Sequence, residues 1–254
     1  MKVIPIIVPL YKSYHCLERF IQSLELEKKQ PYICFLMDNE FVKDSEGRPF
    51  IASQVNDICS KYGYDINKYI TLVSVKNNLY SESVNMLVDE ATRTCEFDKF
   101  VILNPDCYAL NNNWLSDMVA CWDSIRNNFD KKICTLGSLQ WGNEEKTQVW
   151  HMGCMWKPED QKCHILDWQH IHYVPENLIY TGGGVGFHKV DGNTGTGIMV
   201  DYQKFAEMEG FDSKNFPHYS SDAFFVQETQ YKGYTHYCCT VEFFHQAGKS
   251  VKND

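Results

Sequence analysis

From residue 3 the chain reads VIPIIVPL, turns polar, and then sets Leu17, Phe20, Ile21 and Leu24 on one helical face behind Ser13, a residue suited to cap a helix. The unbroken apolar run predicts a strand buried on both faces. The pattern repeats. PYICFLMDN (31–39) predicts a second strand ending at Asp38, and FIASQVNDICSKYG (50–63) a helix closed by Gly63. YITLVSV (69–75) is a third strand, followed by a helix opened by Ser81 or Ser83 with Val84, Leu87, Val88 and Ala91 on one side. KFVILN (99–104) and a helix over about 114–125 complete the series. Alternating units of this kind predict an α/β fold, a mostly parallel Rossmann-like sheet flanked by helices.

The rhythm breaks after KICTLGSL (132–139), an expected fifth strand. Residues 140–191 are rich in Trp, His, Gly and Cys and keep no period, so they predict a long irregular excursion. Within it TGGGVGFHK (181–189) lacks the Lys-Ser/Thr ending of a phosphate loop and reads as a flexible loop. Regularity returns with GIMVDY (197–202), helices at YQKFAEMEG (202–210, ended by Gly210) and SSDAFFVQETQYKG (220–233), and a strand at THYCCTVEFF (235–244). No linker or repeat divides the 254 residues, and a single domain, 1–254, is expected.

A formal net charge of −9 argues against a broad basic face for duplex nucleic acid or anionic lipid. It leaves room for one phosphorylated ligand held through a metal. No run has the length of about 18 apolar residues that a membrane span needs. The apolar start is short, is interrupted by Pro5 and Pro9, and has no small-residue cleavage site, so it is not read as a signal peptide. Eleven cysteines, an odd number, then fit reduced thiols packed as small hydrophobes, which predicts a cytoplasmic protein.

Four polar groups fall where parallel strands would end on one edge: Pro9-Leu10-Tyr11, Asp38-Asn39, Asn77-Asn78 and Asn104-Pro105-Asp106. Each alone is ordinary turn chemistry. Together they would meet in one crevice, the place where α/β sheets bind ligands, with an aromatic ring, two acids and amides to hold a base, a ribose and a metal-bound diphosphate.

IIVPLYKSYHCLERFIQSL (6–24), Asp38, NNLYSESVNMLVDEA (77–91) and FVILNPDCYALNNNWLSDMV (100–119) resemble the first half of an inverting glycosyltransferase of the GT-A fold, family 2 type. The stretch from Gly192 to Cys238 and the ending VEFFHQAGKS are similar to its second half. The resemblance implies a nucleotide-sugar-binding half, 1–110, and an acceptor-binding half, 111–254. It further implies that Pro9, Tyr11, Asp38, Asn77, Asn104 and Asp106 bind the nucleotide sugar, with Gly195, Thr196 and Gly197 letting the backbone approach the sugar. Asp106 and His245 would bind Mn²⁺ or Mg²⁺, and Asp222 would be the catalytic base. Asn85 either shapes the pocket or only caps a neighbouring loop.

Two departures stand out. Asn104 replaces the first acid of the aspartate motif, an N-x-D form shared with a rhamnosyltransferase-like sub-group, and Ser221 replaces the usual Glu before Asp222. The implied activity is transfer of a hexose or deoxyhexose from a UDP-, GDP- or dTDP-sugar to a glycan or other hydroxyl acceptor. The alternatives are a glycan-binding or scaffold protein on a weakened fold, or a sugar nucleotidyltransferase, although PLYKSYHC offers no glycine-rich loop for the latter. Oligomeric state stays open.

Residues 139–190 carry Trp141, Trp150, Trp156, Trp168, His151, His164, His170 and His172, which would suit an acceptor sugar or form a local core. His151, Cys154, Cys163 and His164 invite a zinc reading, but their spacing matches no paired-ligand pattern.

Overall fold

The computed structural model describes residues 2–40, 42, 43, 45, 47, 49–74, 79–156, 168–218 and 220–246. The first five strands are β1 (Ile4–Leu10), β2 (Tyr32–Asp38), β3 (Tyr69–Val73), β4 (Lys99–Ile102) and the short β5 (Cys107–Ala109). They alternate with α1 (Leu17–Leu24), α2 (Phe50–Tyr62) and α3 (Tyr80–Thr94), and α4 (Trp114–Asn128) follows. Next come β6 (Ile133–Trp141), β7 (Val149–His151), β8 (Cys154–Trp156), β9 (Trp168–His170), β10 (Ile179–Tyr180) and β11 (Gly186–Val190). The chain continues through β12 (Ile198–Asp201), α5 (Tyr202–Glu207), α6 (Ser221–Tyr231) and β13 (Thr235–His245).

Among the described residues one sheet runs β10-β11-β13-β6-β12-β4-β1-β2-β3, with β5 added to β13 and β7 to β6. β3, β2, β1 and β4 are parallel, as are β6 and β13, while β12 lies antiparallel between β4 and β6. The parallel set explains why β1 tolerates two prolines. β4 pairs with it only at Ile6 and Ile7, so Pro5 and Pro9 lie outside that ladder, where their missing N–H costs nothing.

Both faces of the sheet are covered. Ile4, Ile6, Val8 and Leu10 pack with the buried stripes of α1, α2 and α4, while Ile7 points the other way into the core shared with α3, α5 and α6. Each fully buried side chain such as Leu17 or Phe20 contributes about 1.5–3 kcal/mol. This is the single α/β domain that the periodicity predicts.

Local expectations fared unevenly. Gly63 ends α2 in the left-handed conformation, φ 69°. Ser13 does not cap α1: it opens a single 3₁₀ turn over Tyr14–Cys16 through its carbonyl, and its hydroxyl is buried. Ser81 and Ser83 lie inside α3, where they bond the Phe216 carbonyl and Asn39 Oδ1. The stretch 181–189 is not all loop. Its second half enters β11, which pairs with β10 and β13, because Phe187 and Val190 have apolar places to fill. Among the described residues no disulfide joins the cysteines, and every one but Cys95 is buried.

Candidate active site

Because β1, β2 and β4 are parallel, Leu10, Asp38 and the turn after Ile102 share one edge. Asp38 is fully buried there. Its Oδ1 accepts from the Tyr14 hydroxyl at 2.7 Å and the Glu40 amide at 3.0 Å, while Oδ2 has no donor among the described residues. Burial, then the Asp38 carboxylate, pushes the Tyr14 phenol well up, so Tyr14 remains a donor. Tyr14 was not among the expected site residues. Tyr11 is exposed at the same edge and Pro9 is buried in β1. Asn77 lies outside the described residues.

Asn104-Pro105-Asp106 is indeed a turn. The Cys107 amide donates to the Asn104 carbonyl at 2.9 Å, with Pro105 at the position that favours it. The turn also does something else. It leads straight into β5, which pairs antiparallel with the end of β13 so that Cys107 faces His245. The Gln246 amide then bonds the Asp106 carbonyl at 3.0 Å. In this way residues far apart in sequence are joined, with His245 Nε2 3.9 Å from Asp106 Oδ1.

Asp106 Oδ1 and His245 Nδ1 are both buried without hydrogen-bond partners among the described residues. Burial lowers the affinity of His245 for a proton, against the opposing pull of Asp106, and so favours the neutral imidazole that coordinates metals. A carboxylate oxygen and a neutral imidazole nitrogen together suit a divalent cation.

The glycine segment connects this corner to Asp222. The Asn104 amide donates to Thr196 Oγ1 at 2.8 Å, and the Gly195 amide donates to Asp222 Oδ2 at 2.7 Å. A Cβ on Gly195 would lie 2.6 Å from Tyr80 Oη and 3.1 Å from Asp222 Oδ2. Only glycine fits. Gly197 has φ +64°, and a Cβ there would meet Ser138 Oγ at 2.5 Å. Tyr80 also bonds the Gly195 carbonyl, and Gln140 Nε2 bonds the Thr196 carbonyl at 2.8 Å. Tyr80 and Gln140 were not among the expected residues, though Gln140, like Thr135 and Ser138, is a buried polar residue of β6.

Asp222 sits in the first turn of α6, where its Oδ1 accepts from the Ala223 amide at 2.9 Å. Asp222 is therefore part of the helix terminus, and the same carboxylate also reaches across to Gly195. Burial raises its pKa, opposed by the backbone amides of Ala223, Gly195 and Asp222 itself and by nearby His170. Asn85 resolves differently. Its amide clamps Phe211 through both N–H and C=O, at 2.9 and 2.8 Å, so it fastens a loop.

The excursion after β6 divides in two. Leu139, Met152, Ile171 and Val190 form a small core with Cys238, and Trp141 packs on it while donating to Glu242. Trp150 faces the crevice instead: its ring lies 5.5 Å from His170, 6.2 Å from His172 and 6.1 Å from His245. His170 is held below its usual pKa by burial and by His172, and it feels both the negative Asp222 and His245. His170 is thus within electrostatic reach of both corners of the site. Cys163 and His164 lie outside the described residues, as do the side chains of Trp156 and Trp168.

No protein-family model matches the chain, and no curated protein matches it significantly in sequence. Solved structures do match in shape. A structure of GalNAc-T7 with UDP, GalNAc and Mn²⁺ superposes with a TM-score of 0.63 at 11% identity, covering 96% of this chain and 44% of that one. S. aureus TarS, residues 1–349, matches with TM-scores of 0.55 in complex with UDP (11% identity) and 0.53 with UDP-GlcNAc (13% identity). Those two cover 97% of this chain and 58% and 56% of TarS. The chain thus spans about half the length of the solved proteins it resembles. The protein has a GT-A-type fold, a single mixed α/β domain with a largely parallel Rossmann-like sheet. Among the described residues, no helix is long and apolar enough to cross a membrane.

Proposed function

We propose that the protein is a metal-assisted glycosyltransferase that moves a sugar from a nucleotide diphosphate to an acceptor hydroxyl with inversion. The observation that carries this reading is the chain of contacts from the Asp106–His245 pair through Asn104, Thr196 and Gly195 to Asp222. Support comes as well from the shared fold, since GalNAc-T7 was captured with UDP and Mn²⁺ and TarS with UDP-GlcNAc.

In this reading the unpaired Oδ2 of Asp38 receives an N–H of the base, while Tyr14 fixes the other oxygen. Asp106 and His245 hold Mn²⁺ or Mg²⁺, which when bound supplies Lewis-acid neutralisation of the departing diphosphate. Asp222 accepts the acceptor's hydroxyl proton as that oxygen bonds to C1 and the C1–phosphate oxygen bond breaks. A base opposite the leaving group dictates inversion. Trp150 and the neighbouring histidines offer the acceptor flat and polar faces.

The test is nucleotide release from a panel of UDP-, GDP- and dTDP-sugars with Mn²⁺ or Mg²⁺, with the product anomer read by NMR. Metal-dependent release that disappears in Asp106→Ala and an inverted product support the reading. Release from no donor, with sugar binding indifferent to metal, points to a glycan-binding protein instead.

A further inference from the structure

We propose that His151, Cys154 and His170 form a second metal site, for a borderline-soft divalent ion such as Zn²⁺, separate from the Asp106–His245 pair. Their ligand atoms all lie within 4.8 Å of one another. His151 Nδ1 is 3.1 Å from His170 Nδ1 and 3.9 Å from Cys154 Sγ. Zinc bonds of about 2.0–2.1 Å to nitrogen and 2.3 Å to sulfur give a tetrahedral site N···N and N···S edges of roughly 3.3 and 3.6 Å. The observed N···N separation of 3.1 Å falls slightly short of its value and the N···S separation of 3.9 Å slightly exceeds its own, so small side-chain shifts close the site.

The backbone builds this arrangement. His151 ends β7, and Gly153 turns the chain with φ +97° where a Cβ would strike Val190 at 2.3 Å. Cys154 then opens β8, with His170 as its direct partner across the β8–β9 hairpin. Cys154 is further pinned through its amide to the Gly192 carbonyl at 2.8 Å. The thiol and both imidazoles are therefore placed by strand register.

The hydrogen bonding around His151 leaves the coordinating lone pair where it is needed. Asn193 commits its Nδ2 to the Tyr237 carbonyl at 2.9 Å and to Thr135 at 3.0 Å, so its Oδ1 is the acceptor. Among the described residues that oxygen and His151 Nε2 are both buried without another partner; burial first, and then His170, hold His151 well below its usual pKa, so it is neutral, and the Asn193 oxygen draws its one proton to Nε2. With the proton on Nε2, His151 Nδ1 presents its lone pair to His170 and Cys154. An outer oxygen fixing the tautomer of a ligand histidine is the usual support for a metal-bound imidazole. Two imidazoles and a thiol also sort the ions, since they select zinc-like cations over Mn²⁺ or Mg²⁺, which prefer oxygen. Binding sends the thiol proton to solvent.

Co²⁺ added to reduced, metal-stripped full-length protein, with no nucleotide sugar present, tests this directly. Wild type and Asp106→Asn should both bind one Co²⁺ with a thiolate-to-cobalt charge-transfer band and the intense visible bands of a tetrahedral ion, displaced by Zn²⁺. Cys154→Ser and His170→Gln should lose the charge-transfer band or weaken binding by more than about 100-fold, beyond what outer-sphere changes cost. His170 is only partly buried, and circular dichroism of each apo variant confirms folding. No thiolate band in wild type, or one that survives both substitutions in folded protein, overturns the proposal. Protein that turns over a donor but shows no thiolate band loses this inference alone; protein that binds cobalt as described but releases no nucleotide loses the transferase reading alone.

Discussion

At the scale of a residue, Asp222 shows how one side chain carries two readings. Its amide bonds to Ala223 and Gly195 make it part of the α6 terminus, and they also fix both oxygens facing the glycine segment. Burial raises its pKa, and only the ionised form can take a proton. Activity should therefore be low at acid pH, rise through that raised pKa and level off above it. The acid limb of kcat/KM should lie above the ordinary aspartate value of about 3.9. Asp222→Asn should cut kcat by about 10²–10⁴-fold, the usual contribution of a general base, with donor binding retained and the limb gone. An acid limb at the same pH in Asp222→Asn would remove Asp222 from the role. Asn85 makes the opposite case. Clamping the Phe211 backbone twice, it serves stability, and Asn85→Ala should cost about 1–3 kcal/mol in urea unfolding for the buried groups left unpaired.

At the scale of elements, the parallel units were legible because each strand is a closed apolar run and each helix carries its own stripe. Asp38 and Asp106 were legible for the same reason, as polar residues at the ends of such runs. What could not be read was register between distant segments. Nothing local says that β5 pairs with the last residues of β13, or that Cys154 faces His170, so the zinc reading that the sequence invited, and that its spacing did not support, included His151 and Cys154 but not His170. Serine capping failed similarly: the same hydroxyl can cap a helix or bond a distant carbonyl, and Ser81 chose Phe216. The β5–β13 ladder can be weakened at one rung. Gln246→Pro removes the N–H that holds the Asp106 carbonyl while leaving the paired residues 243–245 in place. Mn²⁺ affinity, followed by electron paramagnetic resonance, should fall while the melting temperature changes little. Unchanged affinity would mean that this rung does not position the Asp106–His245 pair.

At the scale of the whole molecule, the candidate site joins both parts of the sheet: Asp38 and Asp106 come from the β1–β4 side, and Asp222 and His245 from the last 40 residues or so of chain. A ligand that touches all of them stabilises the native state as a unit, by RT ln(1 + [L]/Kd), or about 2.7 kcal/mol at one hundred times Kd. For a chain of this size each kcal/mol raises the melting temperature by about 2–4 °C, so a saturating donor nucleotide should raise it by about 5–10 °C. The dependence on metal is the sharper part. If the diphosphate is held chiefly through a cation on Asp106 and His245, UDP alone should shift the melt little, Mn²⁺ alone little, and the two together by the full amount. Asp106→Asn should reduce the joint shift to the sum of the separate ones. A full shift with UDP alone in chelator would instead place the binding energy in the base pocket around Asp38 and Tyr14, and would make the cation unnecessary for donor binding.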